Sequence, residues 1–330
     1  MMLDPKKRRQ HMNGPMVHKD IRPETTHTPT ETLESPNAEP LKTGDNRMEN
    51  ALRPLDIRSE THQGCGKEHL GDQDAAKHQD TGLFREPFSI RRVRKSQGNK
   101  LTAMLQVRNE RGRYLEEVLD DLSEFVDEIV IVDDASTDGT PDICRAYSKV
   151  VRLEVLEKPL FAEEWRLRNA LWQAAAGTSP DWLLSVDADE LYSTEAKKAI
   201  RALINQDHAD WIAFRFYDMW GGRTHYREDE LWGLHRRHTA SLVRYMPGYP
   251  YFYPQQNHHV PRLPLPCTVL PGISTELKVQ HLGWAGSLED RVRKYLRYKR
   301  IDPHGEWGSL EHYESILDPE PRLIPWKEEQ

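Results

Sequence analysis

The sequence predicts an α/β fold, a mostly parallel sheet flanked by helices, behind a long polar N-terminal tail. Three observations predict it. From residue 101 onward, short apolar runs alternate with segments of helical period. Two of those runs end abruptly on acidic residues, and the residues before 101 show no sustained apolar period.

The first run, Leu101–Val107, suits a strand buried on both faces, and Tyr114, Leu115, Val118, Leu119 and Leu122 then recur at helical spacing. Glu128–Val132 is a second strand, β-branched apart from its first residue, and it stops at Asp133-Asp134. Ser136–Pro141 is turn chemistry leading into a helix that has Pro141 in its first turn. Val151–Leu156 reads as a third strand and Glu163–Ala176 as the next helix, with Trp165, Leu167, Leu171 and Trp172 on its apolar side. Asp181–Val186 is a fourth strand that ends at Asp187-Ala188-Asp189-Glu190. A helix over Thr194–Asn205 and a fifth strand over Trp211–Phe216 follow. From Tyr217 to Pro266 the chain is rich in Trp, Tyr, His, Gly and Pro, which predicts shaped loops and short antiparallel strands. Leu288–Arg300 is a basic amphipathic helix.

Of the 330 residues, 46 are Lys or Arg and 53 are Asp or Glu. Eighteen of the basic and 15 of the acidic side chains lie before residue 101, which leaves 28 against 38 in the remainder, a net charge of −10. An acidic folded half argues against nucleic-acid binding, which relies on Lys and Arg contacts to phosphate. The basic run Lys6–Arg9 and the cluster Arg91, Arg92, Arg94 and Lys95 read as solvated tail charge. Cys65, Cys144 and Cys267 are widely spaced and form no CxxC pair, which fits a reducing compartment. No stretch approaches the ~18 apolar residues of a membrane span, and the charged N-terminus lacks a signal-peptide apolar region. The expected location is cytoplasmic, with membrane contact at most peripheral.

In open α/β sheets ligands bind beyond the carboxyl ends of the strands, and both acidic clusters stand at such ends. Asp133 and Asp134 either accept hydrogen bonds from a ligand N–H or hydroxyl, or cap the helix that begins near Pro141. Asp187 and Asp189, one residue apart, can converge on a hard divalent ion such as Mg²⁺ or Mn²⁺ and still leave room for diphosphate oxygens; the alternative is a solvated acidic turn. Arg168 either serves that site or pairs with Glu164 one helical turn earlier.

Together, Asn109-Glu110 after the first strand, Val132–Thr140 after the second, Arg168-Asn169 on the helix and Asp187–Glu190 after the fourth resemble the family 2 glycosyltransferases of the GT-A fold, from Leu101 to Arg300. The resemblance implies metal-assisted, inverting transfer of one sugar from a nucleoside-diphosphate sugar to an acceptor hydroxyl. Asp133 and Asp134 would hold base and ribose, with Gln106, Arg108, Asn109 and Glu110 on the loop beside them. The first strand departs from the family pattern, since Gln106-Val107-Arg108 stands where Pro-x-Tyr or Pro-x-Phe is common. Arg168 and Asp187 would lie against the nucleotide, and Asp189, Asp187 and His281 would bind Mn²⁺ or Mg²⁺. For the general base the candidates are Asp229, then Glu228, then Glu190. The acceptor is carbohydrate, lipid-linked or protein.

On this reading residues 1–96 are a disordered tail, 97–216 the nucleotide-sugar-binding βα half, 217–305 the acceptor-binding part of the same domain and 306–330 a C-terminal tail. Two other classes compete. A haloacid-dehalogenase-type sugar phosphohydrolase is suggested by Asp187-Ala-Asp-Glu-Leu191, although Leu191 and the late position of the motif count against it. The other is a nucleotide-sugar-binding scaffold without catalysis.

Overall fold

The computed structural model describes residues 94–328, so the tail expected over 1–96, with Lys6–Arg9 and Cys65, lies outside the described residues except for 94–96. The α/β architecture is the one expected. Strands β1 (Leu101–Val107), β2 (Glu128–Asp133), β3 (Val150–Val155) and β4 (Trp182–Asp187) are mutually parallel. They are joined by helices α1 (Leu115–Phe125), α2 (Thr140–Ala146) and α3 (Glu164–Ala176). Next in the chain come β5 (Glu190–Tyr192), α4 (Thr194–Ile204), β6 (Trp211–Asp218), β7 (His225–Arg227), β8 (His238–Arg244), β9 (Gly272–His281) and α5 (Leu288–Ile301). The main sheet runs in the order β3-β2-β1-β4-β8-β6-β9-β5.

Alternation along the strands sorts side chains into two cores. Leu101, Ala103, Leu105 and Val107 of β1 face α1 and α4, packing with Leu115, Leu119, Leu122 and Ile200. Met104 on the opposite face packs with Val130, Val132 and Leu183 against Leu167, Leu171 and Trp172 of α3. Burying each of these large side chains stabilises the fold by about 1.5–3 kcal/mol relative to exposure. A third cluster, Trp220, Trp232, Trp284 and Ile316, lies apart from both. Ser193 caps α4 by accepting from Ala196 N at 3.2 Å, and Ser287 with Asp290 forms a capping box at α5.

Beyond β4 the sheet turns mixed, as the composition of residues 217–266 predicts: β8 is antiparallel to β4 and β6, while β6 is parallel to β9. Two features depart from expectation. β5 and β9 pair antiparallel, so a ten-residue strand stands where only a short alternating stretch is visible in the sequence. The segment 306–330, expected as a tail, contributes helix α6 (Leu310–Ser315) and strand β10 (Leu323–Pro325). Tyr313 and Ile316 are buried, and β10 pairs with β7, because Ile316 completes the tryptophan cluster. No helix among the described residues is long and apolar enough to cross a membrane.

Candidate active site

A cavity of about 830 Å³ opens at the carboxyl ends of β1 and β4, where the sheet topology places a ligand crevice. Gln106, Glu110, Arg168, Asp187, Asp189 and His281, all singled out from the sequence, line it, together with Lys294 and Arg297 of α5. Strand register creates the juxtaposition. His281 stands opposite Glu190 in the β5–β9 pairing and opposite Asp218 in the β6–β9 pairing, so one row across the sheet carries all three.

The acidic turn after β4 divides into two halves. Asp187 Oδ2 accepts from Arg262 Nη2 at 2.9 Å, and Asp187 Oδ1 lies 4.0 Å from Arg168 Nη1. Glu190 is fully buried and accepts from Arg262 Nη1 at 2.8 Å and from the Asp187 amide at 3.0 Å. The Arg262 guanidinium rests 4.9 Å above the Phe216 ring. Burial alone would raise the Asp187 carboxyl, but Arg262 and then Arg168 draw it below the ordinary aspartate value. Glu190 is raised by burial in spite of Arg262. Asp189 faces the other way, with Oδ1 3.7 Å from His281 Nε2. Burial opposes a charge on His281, yet Asp189 and then Asp218 push its imidazole up to about 9.

Arg168 donates to Glu164 Oε1 at 3.2 Å while facing Asp187, so both readings of this residue are present at once. Glu164 Oε2 in turn accepts from Val260 N at 3.3 Å, which ties the loop carrying Arg262 to α3. Burial raises the Glu110 carboxyl to about 6, partly offset by Arg113 at 3.3 Å. Lys294 is lowered by burial, against the pull of Asp189, and its ammonium donates to the Gly283 carbonyl.

Seven of the expected residues do not line the cavity. Asp133 and Asp134 are almost completely buried. Asp133 accepts from Ser136 N at 2.8 Å, and Asp134 accepts from Leu160 N, Phe161 N and Arg108, so the pair closes the loops around β2 and neither residue caps α2. Asn109 holds the Thr137 amide at 2.8 Å and adopts φ 53°, a left-handed conformation that asparagine tolerates. Ala135 shares that region at φ 56° without such an excuse, so the chain is strained where it leaves β2. Glu190 is occupied by Arg262. Asp229 and Glu228, expected as bases facing the donor, belong to a different network. Buried Arg227 bonds Asp229 at 2.6 Å and Asp318 at 3.0 Å while stacking on Trp220 and Trp232, and Glu228 pairs with His235 at 3.1 Å. Sequence reasoning missed Arg262, Asp218 and Gly283. The only signal for Arg262 is a lone cation in the proline-rich Pro261–Pro264, and Gly283 carries none beyond its place after His281.

Among the described residues, no group of three or more His, Cys, Asp or Glu side chains converges to hold a metal ion unaided. The Asp189–His281 pair nevertheless fits a share of one. A β-carbon added at Gly283 would lie 2.6 Å from His281 Nε2 and 3.2 Å from Asp189 Oδ2, so the glycine keeps open the space between an imidazole nitrogen and a carboxylate oxygen. Carboxylate oxygen suits Mg²⁺ or Mn²⁺, and imidazole is compatible with first-row divalent ions.

A cavity at the strand ends, lined by an acidic turn, stands where open α/β sheets hold their ligands. Residues 103–264, just under half of the chain, match the model described as glycosyl transferase family 2. Two uncharacterized proteins, from Mycobacterium bovis and Mycobacterium tuberculosis, are each 27% identical over 217 residues, covering 62% of this chain and 51% of theirs. The chain thus spans about half the length of the curated relatives it matches. Solved structures similar to it include S. aureus TarS 1-349 in complex with UDP-GlcNAc, at 18% identity and TM-score 0.41, covering 66% of this chain and 70% of that one. Another is the mannosyltransferase PcManGT from Pyrobaculum calidifontis in complex with GDP-Man and Mn²⁺, at 14% identity and TM-score 0.40, covering 71% and 72%.

Proposed function

We propose that the protein transfers a single sugar from a nucleoside-diphosphate sugar to an acceptor hydroxyl, with a divalent cation assisting and with the inversion that the family resemblance implies. The observation that carries this reading is that one cavity at the carboxyl ends of β1 and β4 gathers Glu110, Arg168, the Asp187–Asp189 turn and His281 from four separate stretches of chain. Asp189 and His281 would hold Mn²⁺ or Mg²⁺, with the remaining ligands coming from the donor diphosphate and water. A cation bound there stabilises the negative charge that builds on the departing nucleoside diphosphate.

The protein's own residues divide the remaining work. Arg168, fixed by Glu164, presents a guanidinium to the cavity wall beside Asp187. Arg262 neutralises Asp187 and Glu190, so the donor diphosphate does not meet two uncompensated carboxylates. Lys294, anchored on the Gly283 carbonyl, adds positive charge to the cavity wall near Asp189. Trp284 and Tyr298 line the same cavity, but Trp284 stacks on Trp220 and Tyr298 on Tyr313, so they serve as a rigid wall for it.

A thermal-shift panel of UDP, GDP and their common sugar conjugates, with and without Mn²⁺, tests the reading. Stabilisation by at least one nucleotide that depends on Mn²⁺ is expected, of about 3 kcal/mol at a hundredfold excess over Kd. Absence of any Mn²⁺-dependent shift across the panel removes the central claim.

A further inference from the structure

Asp218 ends β6 and stands directly opposite His281 in the parallel β6–β9 register. Its side chain is 9% exposed, and its Oδ1 lies 2.6 Å from His281 Nδ1. An ionised carboxylate can only accept hydrogen bonds, so this contact keeps a proton on Nδ1 and turns the other nitrogen, Nε2, away from β6. Nε2 then points into the space beside Asp189 that Gly283 leaves open. The row Asp218, His281, Asp189 thus runs from a buried acceptor, through an oriented ring, to a carboxylate oxygen 3.7 Å from Nε2.

We propose that Asp218 is a positioning residue, which fixes the tautomer and tilt of His281 so that Nε2 can ligate a divalent cation together with Asp189. The proposal rests on the reading of Asp189 and His281 as cation ligands given above. Its physical basis is that a ligating histidine held by a carboxylate through its other nitrogen is both oriented and made more basic, and that losing the carboxylate weakens metal binding by about 10- to 100-fold. Gly283 belongs to the same device, since a methyl group at 283 would press on both His281 Nε2 and Asp189 Oδ2, crowding the space the cation needs and pushing the ring from its position.

A purely structural role predicts something different. If Asp218 serves only as an ion-pair partner for a charged imidazole, its loss lowers stability and leaves cation affinity alone. Mn²⁺ binding to the full chain separates the two, measured by the electron paramagnetic resonance of free Mn²⁺ in the presence of UDP and, in parallel, of GDP. Asp218→Ala and His281→Ala are expected to weaken Mn²⁺ binding by about 10- to 100-fold. Asp218→Asn, which retains an acceptor oxygen for Nδ1–H, is expected to keep most of the affinity, and Gly283→Ala to lose it because its methyl group displaces the ring. Asp218→Ser, whose hydroxyl is too short to reach the ring, replaces Asp218→Ala if the latter does not fold. Wild-type Mn²⁺ binding that Asp218→Ala or Asp218→Ser leaves unchanged overturns this proposal alone. Absence of Mn²⁺ binding by the wild type with either nucleotide overturns the cation reading and this proposal with it.

Discussion

The two acidic strand ends look alike in sequence and behave differently in the fold. After β2, Asp133 and Asp134 are almost wholly buried, and backbone N–H groups supply most of their partners: Ser136 for the first, Leu160 and Phe161 for the second. After β4, Asp187 and Glu190 share Arg262, and Asp189 faces a histidine across an open space. Backbone dipoles satisfy most of the first set, with Asp133 Oδ2 left without a hydrogen-bond partner. Cationic side chains from distant segments balance the second: Arg262 for Asp187 and Glu190, His281 for Asp189. An acid that ends a buried strand therefore becomes a loop lock or a ligand site according to the partners that distant segments bring to it.

The largest test of this contrast is removal of the resident cation. Arg262→Met leaves buried Glu190 without its cation and Asp187 with only Arg168 at 4.0 Å, and a loss of about 3–5 kcal/mol in urea unfolding at pH 7.5 is expected. Adding Glu190→Gln should restore part of that loss, because it deletes the buried charge Arg262 was balancing. Strict additivity of the two changes would mean that the residues are not coupled. Next in size, Asp189→Ala should lower Mn²⁺-dependent nucleotide release from the donor by about 10²- to 10³-fold, with unfolding in the absence of metal little changed. A variant that keeps a tenth or more of wild-type turnover would take Asp189 out of the site. At the first strand end the order reverses. Asp134→Ala should cost about 2–3 kcal/mol of stability, because two amides and Arg108 lose a charged acceptor. Cation affinity in whatever fraction stays folded should be unaffected, and a drop in Mn²⁺ binding comparable to that of Asp189→Ala would erase the distinction.

How much of this was legible depends on whether a signal is local. β1, β2 and β4 are apolar on both faces and read directly as buried parallel strands, and the helical spacing of Leu115, Val118, Leu119 and Leu122 identifies α1. β9 alternates between exposed and half-buried positions, and β7 with β10 is a three-residue pairing, too short to leave a pattern. At the site, Asp187, Asp189, Arg168 and His281 stand out because motif and strand end coincide. Asp218 and Arg262 do not, since the β6–β9 register and a proline-rich loop place them, and neither is visible in a window of sequence. Asp229 and Glu228 show the converse: the charge run is visible in the sequence but its partners are not, since Arg227 lies under Trp220 and Trp232 and pairs with Asp229.

The smallest expected effect concerns Glu110, which lies between the two strand ends. Its amide donates to Thr140 Oγ1, 2.8 Å away on the β2 side, while its carboxyl lines the cavity near Arg113 and Asp189. Burial raises that carboxyl from 4.5 to about 6, Arg113 works against the rise and Asp189 adds to it. Because the folded value exceeds the unfolded one, the native state binds the extra proton between these two pH values. The associated stability is full below about pH 4.5 and is lost as pH climbs through about 6. Ionised Glu110 therefore costs at most about 2 kcal/mol at pH 7.5. Glu110→Gln should be more stable than the wild type at pH 7.5 by up to that amount and nearly equal to it at pH 4, measured by urea unfolding across the range. Parallel stability curves for the two proteins would show that Glu110 titrates normally. If the two strand ends are coupled through this carboxyl, the advantage of Glu110→Gln should shrink when Asp189→Ala is already present, because one of the charges raising Glu110 has been removed, and it should persist in the background of Asp134→Ala.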